Sequence, residues 1–105
     1  MEHSPVHIVD TSMVPIESHE RFLALVQEEI VPVMTQAGAE LVSVLASSPN
    51  IGEDVQVQVT WRVADHSAWN VVRKNFFLDP RWHAASAASA RMRSGGQRRF
   101  LYPVN

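Results

Sequence analysis

The sequence predicts an α+β domain: one four-stranded antiparallel sheet with helices on one face. Three observations lead there. A strictly alternating apolar run from Val55 to Val63 reads as a half-buried strand. Apolar residues from Phe22 to Ala37 recur at helical spacing. A second helical region, Asp65 to Arg93, separates the alternating strand from a last short strand that runs up to Val104.

The elements follow in order. Val6–Val14 is β-branched and stops before Pro15, as a strand would. Ser18 is placed to cap the next helix. In that helix Phe22, Leu25, Val26, Ile30, Val33, Met34 and Ala37 share a face, and Gly38 ends it. Pro32 lies inside the pattern. It lacks a backbone donor and clashes with the preceding turn, so a kink near residues 28–32 or a split helix is expected. Leu41–Ala46 is the second strand, and the loop 47–52 turns it into the third, Asp54–Val63. Val55, Val57, Val59, Trp61 and Val63 point to the core, and Gln56, Gln58, Thr60 and Arg62 point away. Asp65 caps a helix over 66–77. Asp79-Pro80 starts another, with proline where its missing N–H costs nothing. That helix runs to Arg93 and stops at Gly95-Gly96, leaving Arg98–Val104 as the fourth strand. The order β-α-β-β-α-(α)-β is the ferredoxin-like split βαβ arrangement. Its second sheet face lacks a cover, and a second copy across a two-fold axis is the simplest one.

The 105 residues suit a single domain, 1–105. Hydrophobic content of 46% and charged content of 19% are globular values. Cysteine is absent, which excludes disulfides, zinc-thiolate sites and thiol nucleophiles. Met1-Glu2-His3-Ser4-Pro5 has no signal-peptide character and no apolar run reaches membrane-span length, so a cytoplasmic protein is expected, with no membrane partner. Residues 1–61 carry nine acidic side chains and one basic; residues 62–105 carry eight basic and two acidic. Either the halves neutralise each other in the fold, or the basic half forms a surface for an anionic or carbonyl-bearing ligand. Net charge of −2 and the lack of a binding motif argue against nucleic acid.

The stretch from Trp61 to Trp82 holds all three tryptophans. A tryptophan ending a strand, an acidic cap, an arginine-bearing helix, Asp-Pro-x-Trp and a short strand ending in proline together resemble the NIPSNAP family, of the dimeric α/β-barrel superfamily. The matching residues are Trp61, Asp65, Arg73, Asp79, Pro80, Trp82 and Phe100-Leu101-Tyr102-Pro103. The resemblance covers 55–104 and extends more loosely over 15–46, with Phe22, Pro32 and Gly38 in suitable places. Two departures stand out. Asp10-Thr11-Ser12 replaces an Arg-x-Tyr pair frequent on the family's first strand, and Trp69 replaces a common arginine. They imply the same scaffold with a more aromatic pocket. The resemblance implies a homodimer with its two sheets face to face. It implies no single reaction, since the superfamily spans cofactor-independent monooxygenases on polycyclic aromatics, haem-degrading enzymes, muconolactone isomerases and proteins of unknown role.

Each candidate site residue has a plainer reading beside it. Trp69, Val72, Arg73 and Phe76 form one helical stripe, near Trp61 and Trp82. They are either core packing or the walls of a slot for a flat ligand. The run Ala84–Ala90 either packs tightly on the sheet or leaves volume beside Trp82. His83 is a surface histidine or, if it faces the cavity, the best general base, because imidazole titrates near neutrality. Asp10 and His7 have opposite parity on the first strand, so at most one enters the pocket without a bulge. Arg73, at a family position, either stabilises an oxyanion or makes a structural ion pair. Tyr102 is a possible hydrogen-bond donor to a ligand. His3 and His7 are about 13 Å apart in an extended chain, too far to share a metal. Glycine-rich nucleotide motifs are absent.

These readings combine into a homodimer, paired through the open sheet face, that binds a hydrophobic small molecule between sheet and helices. His83, Arg73 and Asp10 are the expected catalytic residues. Trp61, Trp69, Phe76, Trp82, His7 and Tyr102 are the expected binding residues. No metal or organic cofactor is expected, with haem kept as the alternative. The competing reading is a non-catalytic binding module.

Overall fold

The computed structural model describes residues 4–104. Its two inner strands are β1 (Val6–Val14) and β3 (Val55–Val63), paired antiparallel from Val6↔Val63 to Val14↔Val55. β2 (Glu40–Ala46) joins β3, and β4 (Gly95–Leu101) joins β1, in the order β2-β3-β1-β4 with every pair antiparallel. This is the predicted ferredoxin-like α+β fold. The alternation along β3 holds residue by residue: Val55, Val57, Val59, Trp61 and Val63 are buried while Gln56 and Arg62 are exposed. On β1 the even positions Val6, Ile8, Ser12 and Val14 are buried. They face the helices together with Asp10. Each fully buried Val or Ile here stabilises the fold by about 1.5–3 kcal/mol.

The helical layer begins with a short 3₁₀ turn, Ile16–Ser18, and α1 (His19–Leu25). Ser18 takes the N-cap position but its side chain makes no capping hydrogen bond, because the 3₁₀ turn already leads the chain into α1. The predicted break at Pro32 takes the form of a π-turn, Val26–Ile30, between α1 and α2 (Val31–Ala37). The Val31 N–H reaches back five residues to the Val26 carbonyl, and Pro32 follows without a donor. Gly38 ends α2 at φ +117°, in the left-handed region, where the Ala39 N–H closes on the Met34 carbonyl.

Asp65 caps α3 (His66–Phe77), accepting from the Ala68 N–H at 2.8 Å. Asp79 caps α4 (Pro80–Met92), accepting from the Arg81 N–H at 2.9 Å. The last strand begins three residues earlier than expected and ends at Leu101. Gly95-Gly96 is not a terminator but the first part of β4, paired with Met13 and Ser12. Arg93, turning to extended backbone, is what ends α4. The opposed charges of the two halves of the chain meet in the pairs Asp10–Arg98 and Glu40–Arg62. Among the described residues no helix is long and apolar enough to cross a membrane.

Candidate functional site

The even positions of β1 and the odd positions of β3 share the helix-facing side of the sheet. Cross-strand register extends that side onto β4, where Arg98 lies opposite Asp10 and Gly96 opposite Ser12. These residues floor a cavity of about 400 Å³ between the sheet and the helices, within the range of small-molecule sites. Phe22, Val26, Ile30 and Met34, from α1, the π-turn and α2, form its apolar wall. The π-turn widens the helix where Val26 and Ile30 face the cavity. The opposite wall is a stripe of α4: Trp82, Ser86, Ser89 and, just past the helix end, Arg93. Offsets of four, seven and eleven residues keep all four on one face. The small-residue run therefore does both things considered for it. Ala85 packs in the core, while Ser86 and Ser89 leave room beside Trp82.

Asp10 is the polar centre. Its carboxylate accepts from Arg98 Nε at 2.6 Å and Nη2 at 3.0 Å, and from the Trp61 indole N–H at 3.2 Å. Arg98 in turn lies over the Trp69 ring, 5.3 Å from its centroid, a cation–π contact. Behind the cavity runs an aromatic row: Phe100 edge-on to Trp69 at 5.4 Å, Trp69 to Phe76 at 5.9 Å, Phe76 to Trp82 at 4.3 Å. Phe100, Trp69 and Phe76 back the indole of Trp82 and the guanidinium of Arg98 without themselves lining the cavity.

The sequence profile of the NIPSNAP family matches residues 14–105. The chain belongs to the NIPSNAP family. A NIPSNAP family protein from Agrobacterium tumefaciens has a solved structure similar to this one, with TM-score 0.80 at 21% identity, covering 100% of this chain and 90% of that one. A NIPSNAP domain protein from Burkholderia xenovorans matches at TM-score 0.79 and 22% identity, covering 94% of each chain. The fold extends to SnoaB, a cofactor-independent oxygenase from Streptomyces nogalater, at TM-score 0.68 and 11% identity, covering 97% of this chain and 95% of that one. At these identities the likeness concerns the fold. No curated protein matches the chain in sequence.

On this NIPSNAP scaffold, Asp10, Trp61 and Trp82 come together on the cavity. Trp69 and Phe76 are buried in the row behind it. The other expected site residues lie elsewhere. Arg73 is exposed on α3, because Val72 and Phe76 take the core-facing side of that helix. His83 is one residue past Trp82, turned about 100° around α4. Its exposed ring donates from Nε2 to the Phe77 carbonyl at 2.8 Å, bridging α3 and α4. His7 has the wrong parity. It pairs with Arg62 and Leu101, on the sheet face away from the helices. Tyr102 lies beyond the end of β4, its hydroxyl sharing a 2.7 Å hydrogen bond with His66 Nε2.

The polar cavity residues missing from the sequence reading are Arg98, Arg93, Ser12 and Gln97, while Ser86 and Ser89 entered it only as members of the small-residue run. The serines on α4 follow Trp82 at helical spacing, a usable signal. Arg98 has no local signal, because its role depends on a register between residues 88 positions apart. Among the described residues no group of three or more His, Asp or Glu side chains converges for a metal ion. His3 lies outside the described residues. No His, Cys or Tyr lines the cavity, so its residues do not fit a haem iron there. Asp79 sits apart at the start of α4. The Arg81 side chain bonded to it holds its carboxyl below the usual range, helped by the Arg81 backbone N–H.

Proposed function

We propose that the protein is a cytoplasmic homodimer that binds a hydrophobic, aromatic-sized molecule in this cavity and transforms it without a cofactor, by oxygenation, isomerisation or cyclisation. One observation supports this above others: a cavity walled by Trp61, Trp82, Phe22 and Met34 encloses a single oriented carboxylate, Asp10. Such a carboxylate can take an acidic C–H or O–H proton from a ligand held against the indole rings. Arg98, bonded to it, stands where the ligand's new negative charge would be stabilised. SnoaB, a cofactor-independent oxygenase of the same fold, is a precedent for oxygenation on this scaffold. The dimer rests on the bare sheet face, where β1 and β4 present Val9, Met13 and a half-exposed Leu101, with Leu45 of β2 at 58% exposure. A second copy would bury that face.

One feature favours the binding-only alternative. Three donors already hold the Asp10 carboxylate, two from Arg98 and one from Trp61. Native mass spectrometry of freshly purified protein tests both readings. A species of twice the chain mass carrying a retained small molecule is expected. That molecule should be consumed on incubation in air by the wild type and not by Asp10→Asn. Consumption by neither protein leaves the binding module, and a bare monomer sinks both readings.

A further inference from the structure

The polar groups of the cavity are not all accounted for by Asp10 and Arg98. Ser12 and Ser89 are each only 8% exposed, yet their hydroxyls make no hydrogen bond to any described residue and both border the cavity. No side-chain polar atom among the described residues is both sealed from solvent and unpartnered, so these two hydroxyls open onto the cavity and can donate to a ligand there. Arg93 lies four residues after Ser89 on the same stripe, and its guanidinium pairs with no described residue. The cavity lining thus holds two guanidiniums and one carboxylate, and Arg98 already takes that carboxylate.

The position of Arg93 is built into the strand beside it. A Cβ on Gly96 would come within 2.6 Å of Arg93 Nη1, so the guanidinium occupies the space a side chain would fill. A Cβ on neighbouring Gly95 would meet nothing within 4 Å. Gly96 is also the cross-strand partner of Ser12. Ser12, Ser89 and Arg93 therefore border one stretch of the cavity, next to the Asp10–Arg98 pair and across from the apolar wall of Phe22, Val26, Ile30 and Met34.

We propose, building on the reading of the cavity as a ligand site, that its ligand carries a carboxylate. Its flat apolar body lies between Trp61, Trp82 and the π-turn, and its carboxylate is received by Arg93 with Ser12 and Ser89. A guanidinium presents paired N–H donors that match a carboxylate, and two hydroxyls donate to the remaining lone pairs. Gly96 is the seat that holds the guanidinium in place.

Titration calorimetry with 2-naphthoate and its neutral isostere 2-naphthamide tests this. Naphthoate is expected to bind the wild type about 10-fold more tightly, as a charge-assisted pair allows. Arg93→Gln should erase that preference while keeping the affinity for naphthamide, and Arg93→Lys should retain part of it. Gly96→Ala, which fills the seat, should behave like Arg93→Gln, with circular dichroism confirming its fold. Equal binding of acid and amide to the wild type overturns the carboxylate assignment and leaves the cavity reading standing. A preference that survives Arg93→Gln overturns the role of Arg93. Binding of neither probe overturns both the assignment and the cavity reading.

Discussion

The Asp10 carboxylate and the Arg98 guanidinium meet side by side across the β1–β4 pair, with bonds of 2.6 and 3.0 Å. Both side chains are about one-third exposed or less, so neither is fully hydrated if left alone. Arg98→Gln should destabilise the protein by about 1–3 kcal/mol in urea unfolding, because Asp10 keeps only its bond from Trp61. The double variant with Asp10→Asn should be less destabilised than the sum of the two single variants. Strict additivity would show that the pair is not coupled.

Gly38 makes a second point of fragility. Its φ of +117° strains any L side chain, and a Cβ there would stand 3.3 Å from Val72 Cγ2 on α3. Gly38→Ala is expected to cost about 1–2 kcal/mol. A melting temperature equal to that of the wild type would contradict the cap geometry.

Ser86 allows the cavity to be filled without touching the charged cluster. Its side chain is half-buried on the α4 wall between Trp82 and Ser89. Ser86→Leu should leave stability within about 1 kcal/mol of the wild type, since apolar volume enters an existing space. Naphthamide binding should fall at least about 10-fold, the measure of lost room. Undiminished binding would place the ligand somewhere else.

The cap of α4 sets an acid limit. The folded-state pKa of Asp79 lies below its ordinary 3.8, first because the Arg81 side chain bonds to it. A lowered carboxylate pKa adds stability that is complete above the unfolded value and disappears as pH falls through the folded one. Asp79→Asn keeps a capping oxygen but cannot ionise. Thermal melts should show the wild type ahead of Asp79→Asn at pH 6, with the gap closing as pH falls below the ordinary carboxylate value and through the lowered folded one. A gap that stays constant with pH would assign the effect to the cap alone.

Much of the scaffold is legible in the sequence because short-range chemistry decides it. Alternation along Val55–Val63, the Asp65 cap, Asp79-Pro80 and Gly38 each act within a few residues, and each appears where expected. Gly95-Gly96 misleads for a reason of the same scale. A glycine pair resembles a stop signal, but here Gly96 keeps space for the Arg93 guanidinium. The site is less legible. Asp10, Trp61 and Trp82 can be found from parity and from aromatic clustering. The rotation of α3 and α4 decides that Arg73 and His83 face outward, and that rotation follows from packing between elements. Arg98 enters through strand register, which nothing near it in the chain announces.

The π-turn at Val26–Ile30 carries a last consequence. Regular winding would use one residue fewer to cover the same length of helix. The breadth of the cavity therefore depends partly on a count of residues, and not only on which residues they are. Pro32 makes that surplus cheap, since a regular helix would already lack a donor at that point. A chain shortened by one residue between Val26 and Ile30 could wind evenly, straightening the wall and narrowing the cavity with every lining side chain of the sheet unchanged. Chains on this scaffold can thus differ in ligand size by an insertion or deletion far from the polar floor.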